Sequence, residues 1–167
     1  YVIKERYTSR DKIAIEGESN GGLLVTVCTL QRPDLFKAVV SGVPVTDMLR
    51  FHKFDGGVLW ISEYGDPDKE EDALYLKKYS PYHNVKEGEK YPPVLFMTAN
   101  TDTRVNPLHT RKMVAKMQEY SSLNDNILMR MEKDAGHGFG KPIYKIIAEL
   151  TEKWTFLYRE LNMEYER

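Results

Sequence analysis

Four apolar runs of strand length, at residues 12–18, 37–43, 93–100 and 127–133, constrain this chain more than any other feature, because each is followed by a stretch able to form a helix. That alternation is the pattern of parallel β-α units. Ile13-Ala14-Ile15 and Ala38-Val39-Val40 are apolar at consecutive rather than alternate positions, the mark of strands covered on both faces. Residues 20–31 carry Leu23, Leu24, Val27 and Leu30 at helical spacing and stop before Arg32-Pro33-Asp34. Residues 107–120 open on a proline and place Met113, Val114 and Met117 on one side, and residues 142–161 place Ile146, Ile147, Leu150, Trp154 and Leu157 on one stripe. Both are expected to face the core. The expected fold is α/β: a parallel sheet of about four strands flanked by helices, in one domain.

Composition narrows the function. Lys and Arg number 24 against 25 Asp and Glu, so no field favours nucleic acid or an anionic membrane. No apolar run approaches the roughly 20 residues that cross a bilayer. Cys28 is the single cysteine, which excludes an internal disulfide and a cysteine-based metal site. It lies in an apolar stretch, where a buried, inert thiol is the expectation. The chain reads as reduced and cytoplasmic, with any targeting signal upstream of Tyr1. Residues 1–7 read as the tail of an interrupted helix. Residues 44–91 form a long insertion between the second and third runs, with Trp60, Tyr64, Tyr75, Tyr79 and Tyr82, and excursions of this length tend to carry binding surfaces.

Gly17-Glu18-Ser19-Asn20-Gly21-Gly22 stands where the first strand ends and a helix begins. In that context G-x-S-x-G is a sharp turn that exposes a nucleophilic serine, and the glycines on either side are expected to relieve steric collision around it. The N–H of Asn20 then opens the helix and is placed to donate to an oxyanion. A serine hydroxyl needs a base to take its proton and a carboxylate to orient that base. In α/β-hydrolases these follow in the order serine, acid, histidine. Asp102 follows the third run and His137, within Asp134-Ala135-Gly136-His137-Gly138-Phe139-Gly140, follows the fourth. Asp47 and Asp134 are weaker candidates for the acid. His52, His83 and His109 fit packing or surface roles, and no histidine pair has the His-x-x-x-His spacing of a metal hydrolase.

Around this triad stand Ser19-Asn20-Gly21-Gly22-Leu23-Leu24, Gln31-Arg32-Pro33-Asp34-Leu35-Phe36, Asp47-Met48-Leu49-Arg50-Phe51-His52-Lys53, Tyr79-Ser80-Pro81-Tyr82-His83-Asn84-Val85, Asp102-Thr103-Arg104-Val105 and Ala135-Gly136-His137-Gly138. Together they closely resemble the C-terminal part of the prolyl oligopeptidase family, from the start of the chain to its last helix. The resemblance implies a partial α/β-hydrolase fold. It implies a serine peptidase that cuts short proline-containing peptides on the carboxyl side of proline through an acyl-enzyme, with no cofactor and no metal.

It also implies roles for further residues. Trp60 matches the tryptophan whose indole stacks on the substrate proline, Tyr64 and Val105 match other walls of that pocket, and Arg104 matches the arginine that binds a substrate carbonyl on the acyl side. Glu18 departs from the small residue of some family members, and its side chain is expected to face away from the nucleophile. The family's N-terminal β-propeller, its first hydrolase strands and its tyrosine oxyanion donor are expected outside residues 1–167. The edge of the first strand, with Ile13 and Ile15, is then expected to be covered by upstream chain or by another chain. The alternatives are an oligopeptidase B, acylaminoacyl-peptidase or dipeptidyl-peptidase relative, an esterase of the same fold, and a catalytically silent binding module.

Overall fold

The computed structural model describes residues 1–123, 126–138 and 140–164. The four runs form one parallel sheet in sequence order, from β1 (Ala14–Glu18) through β2 (Ala38–Gly42) and β3 (Val94–Ala99) to β4 (Ile127–Glu132). The register sets residues in rows across the sheet. Ile15, Val39, Val94 and Ile127 form one row, and Glu18, Gly42, Met97 and Arg130 form another. Because side chains alternate between faces along each strand, the first row turns toward α1 (Asn20–Gln31) and α5 (Leu108–Tyr120), where it packs with Val25, Leu30, Met113, Val114 and Met117. The opposite face places Ala38, Val40, Leu95 and Met97 under Phe156 and Leu157 of α6 (Ile143–Glu160).

The expectation of cover on both faces holds for β2, all of whose residues are buried, and fails for β1, whose residues are partly buried or exposed. The cause is position. β1 and β4 are the outer strands of the described sheet, so each has a neighbour on one side only. The last helix also departs from expectation. Its stripe is not core-facing throughout: Phe156 and Leu157 are buried, but Ile147, Leu150 and Trp154 are 43–57% exposed and line an apolar groove with Tyr158 and Met163. Phe156 and Leu157 are the residues of this helix that join the core cluster on the sheet, so among the described residues the stripe N-terminal to them is left uncovered. Near the chain start, Glu5 N bonds Tyr1 O and Tyr7 N bonds Val2 O, but these are isolated turns, and the expected helix does not form.

The insertion folds as short 3₁₀ segments with α2 (Ile61–Tyr64), α3 (Glu70–Tyr79) and α4 (Pro81–Asn84). A buried polar clamp ties its start to α5. The Asp47 carboxylate, wholly buried, pairs with Lys112 and lies 3.8 Å from Arg50. The imidazole Nδ1 of His109 accepts the backbone N–H groups of Thr46 and Asp47 at 3.2 and 3.1 Å, while Thr46 Oγ1 donates to the His109 carbonyl at 2.7 Å. Among the described residues no helix is long and apolar enough to cross a membrane.

An Nδ1 that accepts two N–H groups must be unprotonated, and burial pushes the His109 pKa down from 6.5 to about 4 despite the attraction of nearby Asp47. A folded-state pKa below the unfolded value means that the native protein binds fewer protons between pH 6.5 and 4. Stability from this site is therefore complete above pH 6.5 and is lost as pH falls toward 4, on the order of 3 kcal/mol over that window. Urea unfolding midpoints should fall across this range. A His109→Gln variant keeps an acceptor for the two N–H groups and should lose that part of the slope. Identical slopes in the two proteins would contradict this role.

Candidate active site

Ser19 is the residue between β1 and α1, with φ 56° and ψ −116°. A non-glycine residue with positive φ is strained by about 1–3 kcal/mol and needs neighbours that hold it. One is the hydrogen bond from Ser19 N to Gly42 O, 2.8 Å, and the next is Leu23 N to Ser19 O, 3.0 Å, which starts the helix. The close approach explains two glycines, but not the pair expected. A Cβ on Gly17 would lie 2.3 Å from the Gly21 carbonyl oxygen, and one on Gly22 would lie 2.6 Å from Gly42 O. Gly21 itself has open space where a Cβ would go. Behind the turn, Thr26 Oγ1 donates to Gly22 O at 2.7 Å and lies 2.8 Å from Ser41 Oγ, so helix and strand are joined by buried hydroxyls. Asn20 is the first helical residue, where a backbone N–H has no partner within the helix.

His137 and Asp102 meet at 2.6 Å through Nδ1 and Oδ2. Asp102 is 2% exposed, and its other oxygen accepts the N–H groups of Arg104 and Val105, both at 2.9 Å. An ionised carboxylate only accepts, so the proton of this contact sits on Nδ1 and Nε2 is left free to act as a base. The loops that carry the two residues are laced together: Thr101 Oγ1 donates to Ala135 O at 2.7 Å, and Asp134 N donates to Asn100 Oδ1 at 2.7 Å. Asp134 and Gly138 take positive φ on either side of His137. Phe139, in the same motif, lies outside the described residues. Of the three carboxylates considered for the acid, Asp102 is the one bonded to His137. Asp47 is engaged in the clamp on α5, and Asp134 is exposed.

Ser19, His137 and Arg104 line one cavity of about 600 Å³, with Glu18, Gly42, Val43, Met97, Arg130, Lys141, Ile146 and Glu149 among its other walls. Ser19 Oγ makes no hydrogen bond to His137 among the described residues, and such nucleophile–base contacts often tighten only in the substrate complex. Trp60 and Tyr64 lie off this cavity. Both pack with Leu23, Met48, Phe51 and Val105, with Trp60 stacked on Phe51 at 6.3 Å and Tyr64 edge-on to the same ring at 5.6 Å. Tyr64 Oη donates to Asn20 Oδ1 at 2.9 Å and lines a separate groove with Asn20 and Leu24. Val105, 1% exposed, lies inside this cluster and offers no free surface. Sequence reasoning missed the charged walls Arg130, Lys141 and Glu149. It also misplaced Glu18, whose side chain leans over Gly42 and lines the nucleophile's cavity instead of facing away.

A model of the prolyl oligopeptidase family matches residues 1–164. The chain belongs to the prolyl oligopeptidase family. It is 42% identical over 98% of its length to a prolyl endopeptidase of Dictyostelium discoideum and 42% identical to one of Elizabethkingia meningoseptica, and it spans 22% and 23% of those relatives. A solved prolyl endopeptidase matches 98% of the chain with a TM-score of 0.94 at 43% identity, the chain covering 24% of that structure. Oligopeptidase B of Leishmania major, another similar structure, matches 96% of the chain with a TM-score of 0.91 at 29% identity, with 23% of that structure covered. The four-stranded sheet and its flanking helices are thus part of the α/β-hydrolase fold of this family.

The packing around the serine separates its glycines by experiment. Gly17→Ala forces a methyl against a backbone carbonyl and should destabilise the protein by about 1–3 kcal/mol. Gly21→Ala places its methyl in open space on a helix and should leave stability unchanged or raise it by about 0.4–1 kcal/mol. Thermal unfolding of the two variants checks the difference, and equal losses would mean that the turn is not packed as described.

Proposed function

We propose that the chain carries the catalytic residues of a serine peptidase that hydrolyses short peptides on the carboxyl side of proline. The observation that supports it most is the hydrogen bond of His137 to the buried Asp102, beside the cavity that holds Ser19, in a chain 42% identical to named prolyl endopeptidases. Ser19 Oγ attacks the carbonyl carbon of the substrate proline while His137 Nε2 takes its proton. His137 returns that proton to the leaving amine, and water then releases the acyl group by the same route. Asp102 keeps the imidazole in the required tautomer. The Asn20 N–H, at the start of α1, stabilises the charge that develops on the carbonyl oxygen.

Trp60 offers a flat aromatic face to the proline ring, steadied by Phe51, with Tyr64 beside it and Val105 buried behind. Arg104, exposed on the rim of the cavity, takes a substrate carbonyl on the acyl side. The higher identity to prolyl endopeptidases, 43% against 29% for the oligopeptidase B structure, favours the post-proline reading over that relative. The same reading places the enzyme in the cytoplasm. It assigns cover for the free edge of β1 to upstream parts of the protein or to another chain, and it assigns the second oxyanion donor to a group outside residues 1–167.

In the full-length protein, a chromogenic peptide cut after proline should turn over faster than its arginine or alanine counterpart, and equal rates would refute the assignment. Ser19→Ala should lower kcat by about 10⁶ with an unchanged circular dichroism spectrum. Residues 1–167 alone should cleave the proline peptide at least about 10²-fold more slowly than the full-length protein, the cost of one missing oxyanion donor.

A further inference from the structure

Glu18 stands one residue before the nucleophile, on the sheet row that runs through Gly42 and Met97 to Arg130. Its neighbour on that row has no side chain, and the Glu18 Cγ leans over the vacancy, 2.8 Å from where a Gly42 Cβ would be. Its Cδ lies 3.6 Å from the same point, and Glu18 is one of the residues that line the cavity shared by Ser19 and His137. Floor and wall on the α6 side are otherwise electrically matched. Arg130 pairs with Glu132, Glu149 and Glu152, Lys141 with Glu149, and Lys145 with Glu132, so three cations meet three carboxylates. Glu18 and Arg104 are the cavity's two charges that no side chain answers among the described residues. They come from different elements, Glu18 from β1 before Ser19 and Arg104 from the loop after β3.

The faces of the sheet bear on which half of a substrate meets Glu18. Trp60 and Tyr64, assigned to the proline ring, pack with Leu23 on the α1 side, and Tyr64 reaches Asn20. The Glu18 row faces the opposite way, toward α6 and the His137 loop. His137 must hand its proton to the leaving amine, so the leaving peptide runs along that side of Ser19. Resting on the peptidase reading above, we propose that Glu18 selects the residue on the leaving-group side of the scissile bond and favours peptides in which lysine or arginine follows proline. A cationic side chain there meets an unanswered carboxylate, whereas an acidic one is repelled.

The test uses the full-length protein and quenched fluorescent peptides identical except at the residue after proline, which is Lys, Gln or Glu. At low salt, kcat/KM should rank Lys above Gln above Glu, with the Lys peptide ahead of the Glu peptide by roughly threefold to tenfold. The ratio should shrink toward one at 1 M salt, where the screening length is about 3 Å. Glu18→Gln, of nearly the same size but uncharged, should bring the low-salt ratio near one. An equal ratio in wild type and Glu18→Gln would overturn the inference, as would a wild-type ratio insensitive to salt, which needs no variant at all. A parallel peptide with alanine in place of proline separates the two readings. If proline is not preferred there, the post-proline function fails and takes this inference with it, while proline preference with no charge preference sinks the inference alone.

Discussion

The approach of the strand-to-helix turn to the end of β2 is the constraint on which the site depends. Ser19 can hold a positive φ because its N–H is fixed to Gly42 O at 2.8 Å and because Gly17 and Gly22 let backbone reach backbone where a methyl would collide. The same contact sets the height of β1 relative to β2, and Gly42 faces Met97 of β3 in turn. The nucleophile is thus positioned by the sheet itself and not by its own side-chain contacts. That explains why a strained residue persists here: the energy that holds it is distributed over main-chain hydrogen bonds and buried hydroxyls such as Thr26 and Ser41.

The acid and base are arranged on a different principle. Asp102 spends one oxygen on two backbone N–H groups of its own loop and the other on His137, so its orientation is settled before the imidazole arrives. The loop that bears His137 is then clasped to the acid's loop through Thr101, Ala135, Asn100 and Asp134. A carboxylate this buried is tolerable because every contact it makes is to a donor.

Much of this was legible in the sequence. Strand and helix positions followed from apolar periodicity, and the four strands with α1, α5 and α6 lie within a residue or two of their expected ends, because an element buries the residues that define its pattern. The triad was legible because a nucleophile turn, an acid loop and a histidine loop each follow a strand. What sequence could not give depended on lateral neighbours. The stripe on α6 has the period of a core helix, yet the residues to bury Ile147 and Trp154 are not among its contacts. Glycine roles depended on which carbonyl lies opposite, so Gly22 and not Gly21 proved tight. Glu18 was misread because its direction depends on a missing side chain across the row, at Gly42, some twenty residues away. The clamp of Asp47, His109 and Lys112 was equally invisible, since its members come from segments that only the fold brings together.

The unequal burial of the four strands bears on how the site in residues 1–167, taken alone, comes apart. Local opening starts where few apolar contacts resist it. β2 and β3 are buried along their whole length, and they carry Gly42 and the loop of Asp102. Ser19 hangs from β1 and His137 from β4, the two outer and less covered strands. In residues 1–167 taken alone, the two residues that exchange the proton therefore ride on the less covered strands, while the residue that orients one of them rides on a buried one. In hydrogen-exchange terms, residues 1–167 alone should lose protection at β1 and β4 before β2 and β3, and cover over the β1 edge in the whole protein would raise that threshold for Ser19.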